Sequence, residues 1–186
     1  MKKITIPINK NTIENLTSGD AVLLSGTIYT ARDAAHKRLV TAVKNKEKLP
    51  FTLNNAVIYY VGPTPAKPNM IIGAAGPTTA SRMDTYAKIL IPLGLKIMIG
   101  KGQRNDSVKN LIVRHKGLYL VATGGIAAVL TKTAKKCELI AYPDLGPEAI
   151  YRLEVEDFPA IVAYDSHGGD LFKTGINKYQ KNIPSD

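Results

Sequence analysis

Two segments carry residues whose types and spacing suit the capture of a small anion. The first is Gly76-Pro77-Thr78-Thr79-Ala80-Ser81-Arg82-Met83-Asp84. Proline is favoured at the first helical position, and the first N–H groups of a helix have no partner inside it. Gly76 lets the backbone come close to a ligand. The spacing therefore predicts a helix from about Thr78 to Leu90, whose start offers bare amides beside threonine hydroxyls. That is a natural carboxylate or phosphate site. Thr78 and Arg82 stand four apart and would share one helix face, with Arg82 placed for a bidentate pair with a carboxylate. The bland alternative is a threonine-capped surface helix with a solvated arginine.

The second segment is Tyr29-Thr30-Ala31-Arg32-Asp33-Ala34-Ala35-His36-Lys37-Arg38. Arg32 falls where a strand meets a helix, and strand ends converge on ligands in open α/β sheets. Asp33 is expected to cap the helix, with orientation of Arg32 as its other possible role. His36 could serve as an acid–base group, although a lone helical histidine is more often structural. A third junction, Gly100-Lys101-Gly102, sets a lysine between glycines at a strand end, and Thr123-Gly124-Gly125 offers backbone amides alone. Three cations and a hydroxyl suit a small dianion such as a dicarboxylate. Neither phosphate-loop nor dinucleotide fingerprint is present, and no nucleophile elbow marks a Ser/His/Asp arrangement.

The elements that must position these residues read as an α/β layered domain. Lys3 to Ile8 alternates like an edge strand, where Pro7 is best tolerated. Strands are expected at Ala21 to Tyr29 and Asn55 to Val61, with a helix over Asp33 to Lys46 between them. Met70 to Gly73, Leu95 to Ile99 and Leu118 to Ala122 read as strands running into glycine-bearing loops. Helices follow over Asp106 to His115 and, briefly, after Gly125. Three late strands are expected at Glu138–Tyr142, Ala149–Val155 and Ala160–Tyr164. The alternation argues some parallel pairing, and the antiparallel-looking ends suggest a second sheet. Lys173 to Asp186 reads as a polar tail or a partner contact.

Composition narrows the function. The 186 residues fit a single domain spanning 1–186, large enough to bury a core. No apolar run is long enough to cross a membrane or to form a signal peptide, so a soluble cytoplasmic protein is expected. The net charge is +10, but the lysines are scattered and only 6% of residues are aromatic, which argues against nucleic acid. The excess positive charge is either a solvated surface or a field that draws in small anions. Cys137 is the single cysteine and there are three histidines (His36, His115, His167), too few for a zinc site or an iron–sulfur cluster within this chain.

The same residues resemble a known family. Leu24 to His36, Val61-Gly62-Pro63, the Gly76 to Asp84 segment, Thr123-Gly124-Gly125 and Glu156-Asp157-Phe158-Pro159-Ala160 are similar to the C-terminal, or beta-subunit, region of class I fumarate hydratase. That region is shared with the beta subunit of L(+)-tartrate dehydratase. The resemblance implies a swivelling three-layer β/β/α domain with a mixed sheet. It implies a [4Fe–4S] cluster held by a partner alpha subunit and none bound by this chain, and an assembly that is a dimer of heterodimers. The implied reaction is the reversible hydration of fumarate to L-malate, a step of the tricarboxylic acid cycle. Under it, Arg32, Arg82 and Lys101 match ligands of the substrate carboxylates, and Thr78 matches the proposed catalytic base. Asp33, His36, Gly76 and Asp84 belong to the supporting motif residues. The sequence leaves open fumarate against tartrate, and a stand-alone dicarboxylate-binding module remains a third possibility.

Overall fold

Apolar runs of four to six residues, each followed by a glycine or a polar turn, form the centre of the sheet. The computed structural model describes residues 1–122 and 127–180. Among the described residues, seven strands form one mixed sheet: β1 (Lys2–Thr5), β2 (Ala21–Thr30), β3 (Ala56–Tyr59), β4 (Leu95–Gly100), β5 (Leu118–Val121), β6 (Ala134–Ala141) and β7 (Ile150–Tyr164). The helices are α1 (Lys10–Glu14), α2 (Asp33–Lys44), α3 (Asp84–Leu90), α4 (Asp106–Arg114), α5 (Ala127–Lys132) and α6 (Leu171–Tyr179).

Strands β1 to β5 pair in parallel, in chain order. Strand β7 is antiparallel to β2, β5 and β6. The pairings therefore close on themselves, running β2–β3–β4–β5–β7 and back to β2. The expected second sheet is instead this one connected sheet, because long β2 and β7 each serve more than one neighbour. The two expected late strands at Ala149–Val155 and Ala160–Tyr164 are likewise a single strand. Strand β7 continues through Asp157, which takes a positive φ of 51° beside a register shift against β2. The edge-strand reading of the N-terminus holds, since β1 lies at the end of the strand order.

The central strands are buried on both faces, as parallel strands between two layers must be. In β3, Val57 and Tyr59 join one apolar cluster with Leu24, Ile97 and Leu120. Ala56 and Ile58 join another with Leu39, Leu90 and Ile112 of α2, α3 and α4. Alternation along the strand thus divides the core in two. Each fully buried aliphatic side chain contributes about 1.5–3 kcal/mol. The segment Met70 to Gly73 is irregular rather than a strand. Ile71 is 48% exposed and Gly73 packs against the Thr64 backbone, so this run serves a loop. The short α1 and the polar α6 were not foreseen. Each starts on a side-chain cap, Asn9 accepting from the Thr12 amide and Asp170 from the Lys173 amide. The Thr123-Gly124-Gly125 turn and the tail beyond residue 180 lie outside the described residues.

Where β1 gives way to the loop before α1, the chain crosses β2 closely. Gly26 has a φ of 126°, and a Cβ built there would lie 2.5 Å from the Ile6 carbonyl oxygen. Gly26→Ala is therefore expected to destabilise the fold by about 2–4 kcal/mol through strain and clash, read as a lowered midpoint in urea denaturation with an unchanged slope.

Candidate functional site

Because β2, β3, β4 and β5 are parallel, their C-terminal ends lie along one edge, which is where open α/β sheets bind ligands. Arg32 follows β2, Tyr60 to Gly62 follow β3, and Lys101 follows β4. The Gly76 loop docks onto the same edge by its backbone. The Thr78 amide donates to the Tyr60 carbonyl at 2.7 Å, and the Lys101 amide donates to the Thr78 carbonyl at 3.1 Å. The Ala80 amide then donates to the Lys101 carbonyl at 2.9 Å. Thr79 and Lys101 form a parallel bridge.

This corrects the expected helix start. Thr78 and Thr79 are extended, a 3-10 turn covers Ala80–Met83, and α3 begins only at Asp84. The Thr78 amide is already used, so Gly76-Pro77 does not open a helix with bare N–H groups, and Thr78 and Arg82 do not share a helix face. Gly76 is half-buried and Pro77 buried in the loop, where the Tyr59 hydroxyl donates to the Ala75 carbonyl. Strand-like pairing sets Thr79 opposite Lys101 and Thr78 one position earlier, between Tyr60 and Lys101, and the 3-10 turn carries Arg82 away from that ladder toward α2.

Asp33 does not cap α2. The capping position is Arg32, which makes no side-chain cap bond, and Asp33 occupies the first turn. Its Oδ1 accepts from Arg82 Nε at 2.8 Å, and its Oδ2 lies 3.7 Å from Arg32 Nη2. Asp33 therefore stands between the two arginines. The capping task falls to Glu148, at the end of the 3-10 segment Pro143–Glu148. Glu148 Oε2 accepts the Ala34 amide at 3.1 Å, and its Oε1 lies 3.3 Å from Arg32 Nη2. No local pattern could have shown Glu148, because 114 positions separate it from Ala34. Gly62 lets the Arg32 side chain lie across the end of β3, where a Cβ would come within 3.1 Å of Arg32 Cδ.

These ion pairs are partly exposed, Arg82 by 50% and Arg32 by 25%, so their net contribution to stability is small. What they provide is orientation: each guanidinium keeps free N–H groups while one edge is held. Lys101 is exposed and has no carboxylate partner among the described residues.

His36 is fully buried. Its Nδ1 lies 2.9 Å from the Arg32 carbonyl, and because a carbonyl only accepts, Nδ1 carries the ring hydrogen. Burial lowers its pKa from 6.5 to about 4, so the ring is neutral near pH 7. Enclosed and neutral, it serves the structure rather than acid–base exchange with a substrate. Asp84 is also buried, and receives Arg104 Nε at 2.5 Å and the Asn105 amide at 2.8 Å. Arg104, 3% exposed, escaped the sequence reading. Its signal was weak, a lone arginine one residue before a helix cap. Cys137 is half-buried and burial raises its thiol pKa. Among the described residues no three His, Cys, Asp or Glu side chains gather as a metal site, and no helix is long and apolar enough to cross a membrane.

Comparison with known proteins places the chain in a family. A family model described as "Fumarase C-terminus" matches residues 1–175. The chain is 42% identical over 161 residues to the anaerobic class I fumarate hydratase of Escherichia coli K12, covering 86% of this chain and 29% of that protein. It is 40% identical over 156 residues to fumarate hydratase 2 of Leishmania major, covering 83% and 28%. It is 39% identical over 182 residues to a Methanocaldococcus jannaschii protein provisionally named L(+)-tartrate dehydratase subunit beta, covering 94% and 93%. The chain thus spans under a third of the length of the two fumarate hydratases.

The lowered pKa of His36 has a definite sign in stability. The unfolded ring takes up a proton below pH 6.5 and the folded one only near pH 4. Stability is therefore whole above pH 6.5 and is expected to fall by about 3 kcal/mol as the pH drops to 4. His36→Phe should remove this component from the slope between those pH values, measured by denaturant unfolding across the range.

Proposed function

Because the chain belongs to the fumarase C-terminus family, matched over residues 1–175, we propose that it is the beta subunit of an iron–sulfur hydro-lyase that reversibly hydrates fumarate to L-malate. The observation that carries this reading is the backbone ladder Tyr60–Thr78–Lys101, which gathers a hydroxyl and a lysine at the edge where Arg32 and Arg82 are held through Asp33. Arg32, Arg82 and Lys101 bind the substrate carboxylates. Removing the proton beside a carboxylate builds enediolate-like charge, and cations fixed in advance at that carboxylate stabilise it. Thr78 is the proposed base. Its amide and carbonyl are both engaged, so the hydroxyl is presented from a fixed backbone.

The donors of this chain do not fit a [4Fe–4S] cluster, with Cys137 as its single cysteine. The cluster ligands, and with them the rest of the active site, are assigned to a cluster-binding alpha subunit, in a cytoplasmic dimer of heterodimers. Two lengths support the division. The Escherichia coli hydratase is matched over 29% of its sequence, whereas the Methanocaldococcus jannaschii protein, named as a beta subunit, is matched over 93%. That second match also favours an alternative substrate, L(+)-tartrate. The swivelling three-layer arrangement belongs to the same proposal, and two apolar clusters on opposite faces of the parallel strands support it.

The test is to assemble the chain anaerobically with its alpha partner and to assay fumarate, L-malate and L(+)-tartrate. Turnover of fumarate is expected, with Arg82→Ala and Thr78→Ala each lowering kcat/KM by on the order of 100-fold or more. Full turnover in both variants would overturn the site. Turnover of tartrate alone selects the dehydratase. Tight dicarboxylate binding by the isolated chain, with no partner recovered, selects a stand-alone module.

A further inference from the structure

Beneath the edge that carries Thr78 and the two arginines lies a buried cluster that the proposed reaction does not use. Arg104 is 3% exposed and His36 is fully buried. The Arg104 guanidinium sits between the rings of Tyr60 and Tyr119, 5.3 and 5.1 Å from their centroids. Its Nε donates to Asp84 and its Nη1 to the Tyr60 hydroxyl at 3.3 Å. Asp84 opens α3 two residues after Arg82, so this bond ties down the arginine-bearing turn. Tyr60 carries Thr78 on its carbonyl and meets the His36 ring edge-on at 5.2 Å. His36 in turn holds the Arg32 carbonyl. One tyrosine therefore joins the supports of Thr78, Arg82 and Arg32.

Among the described residues two atoms in the cluster have no partner, Arg104 Nη2, a donor, and His36 Nε2, an acceptor once the ring hydrogen is on Nδ1. A buried ion pair with unused valences is a poor means to stability, since apolar residues of similar volume are often as stable or more so. Its cost is understandable if the cluster serves geometry. We propose that Arg104 and His36 are positioning residues which, through Tyr60 and Asp84, set the mutual spacing of Arg32, Thr78 and Arg82 without touching substrate. This inference rests on the hydro-lyase reading for its kinetic test but not for its spectroscopic one.

The decisive variant is the double substitution Asp84→Leu with Arg104→Met. Arg104→Met alone leaves a buried carboxylate unpaired and loses stability, whereas the double variant removes both charges and is expected to fold like wild type. In the assembled enzyme its KM should rise on the order of tenfold or more, with a smaller fall in kcat, because Thr78 keeps its own backbone bonds. His36→Phe should raise KM in the same sense. In parallel, solvent exchange of the Arg82 Nε–H is measured by 15N NMR on the full chain. Its bond to Asp33 slows that exchange in wild type, and the double variant should exchange faster. A folded double variant with wild-type KM and unchanged Arg82 exchange would show the pair to be structural and overturn the proposal. If the double variant does not fold, Arg104→Lys, which keeps the charge and loses the planar fork, is judged by the same two readouts. If wild type turns over no dicarboxylate, the functional reading fails, while the exchange measurement still decides the positioning.

Discussion

Thr78 sits between the ends of two parallel strands, and the site depends on that backbone insertion. Tyr60 leaves β3 with its amide on the Ile99 carbonyl, Thr78 takes the Tyr60 carbonyl, and Lys101 takes the Thr78 carbonyl. Each of these bonds contributes only about 1 kcal/mol net. Their importance lies in register. They convert a proline-containing loop into a short extension of the sheet, so Thr78 and Lys101 belong to the same backbone ladder. A helix start in the same place would have offered bare amides instead. The observed ladder uses the Thr78 and Ala80 amides, so the proposed anion recognition at this edge rests on side chains.

Charge is handled in two ways around this edge. On the open side, Asp33 and Glu148 hold Arg82 and Arg32 in pairs that solvent screens. Pairs of that kind leave a guanidinium able to take a second carboxylate. On the buried side, Asp84 and Arg104 form a pair from which removing one partner costs about 3–5 kcal/mol. Orientation on the surface thus depends on a firm base below it, with Tyr60 at the boundary between the two.

The sheet elements were legible because their signals are local. The apolar runs at β2 to β5, the helices expected at α2 and α4, and the glycine or polar turns between them agree with the strands and helices found to within a few residues. The misread parts depended on distant partners. Gly76-Pro77-Thr78-Thr79 satisfies the rules for a helix start, but Tyr60 and Lys101 compete for the same amide and carbonyl and win. Asp33 has the type and position of a cap, yet Arg82 claims its carboxylate and Glu148 takes over the helix start. Strand β7 looked like two strands because Asp157 interrupts the alternation, a break that the bulge against β2 absorbs. In each case the local geometry departs from the expectation, since type and spacing identify candidate chemistry more readily than they identify the partner that orients it.

The chemistry of this edge suits the proposed division between two chains. Arginine, lysine and threonine can recognise a dicarboxylate and stabilise charge that builds on it, while departure of a hydroxyl group from carbon at neutral pH also needs a general acid or a Lewis acid. Under the proposed reading that part falls to the partner subunit. On the proposed hydro-lyase reading, a net charge of +10 suits this chain, since a positive field draws in an anionic substrate while activation of the leaving group is assigned to the partner. The length relations among the relatives suit that reading, with the chain matched to 29% of the Escherichia coli hydratase and to 93% of a protein named as a subunit. On the proposed reading, the internal bracing by Asp33, Asp84 and Arg104 is what such a division requires, because it sets the spacing of Arg32 and Arg82 within this chain.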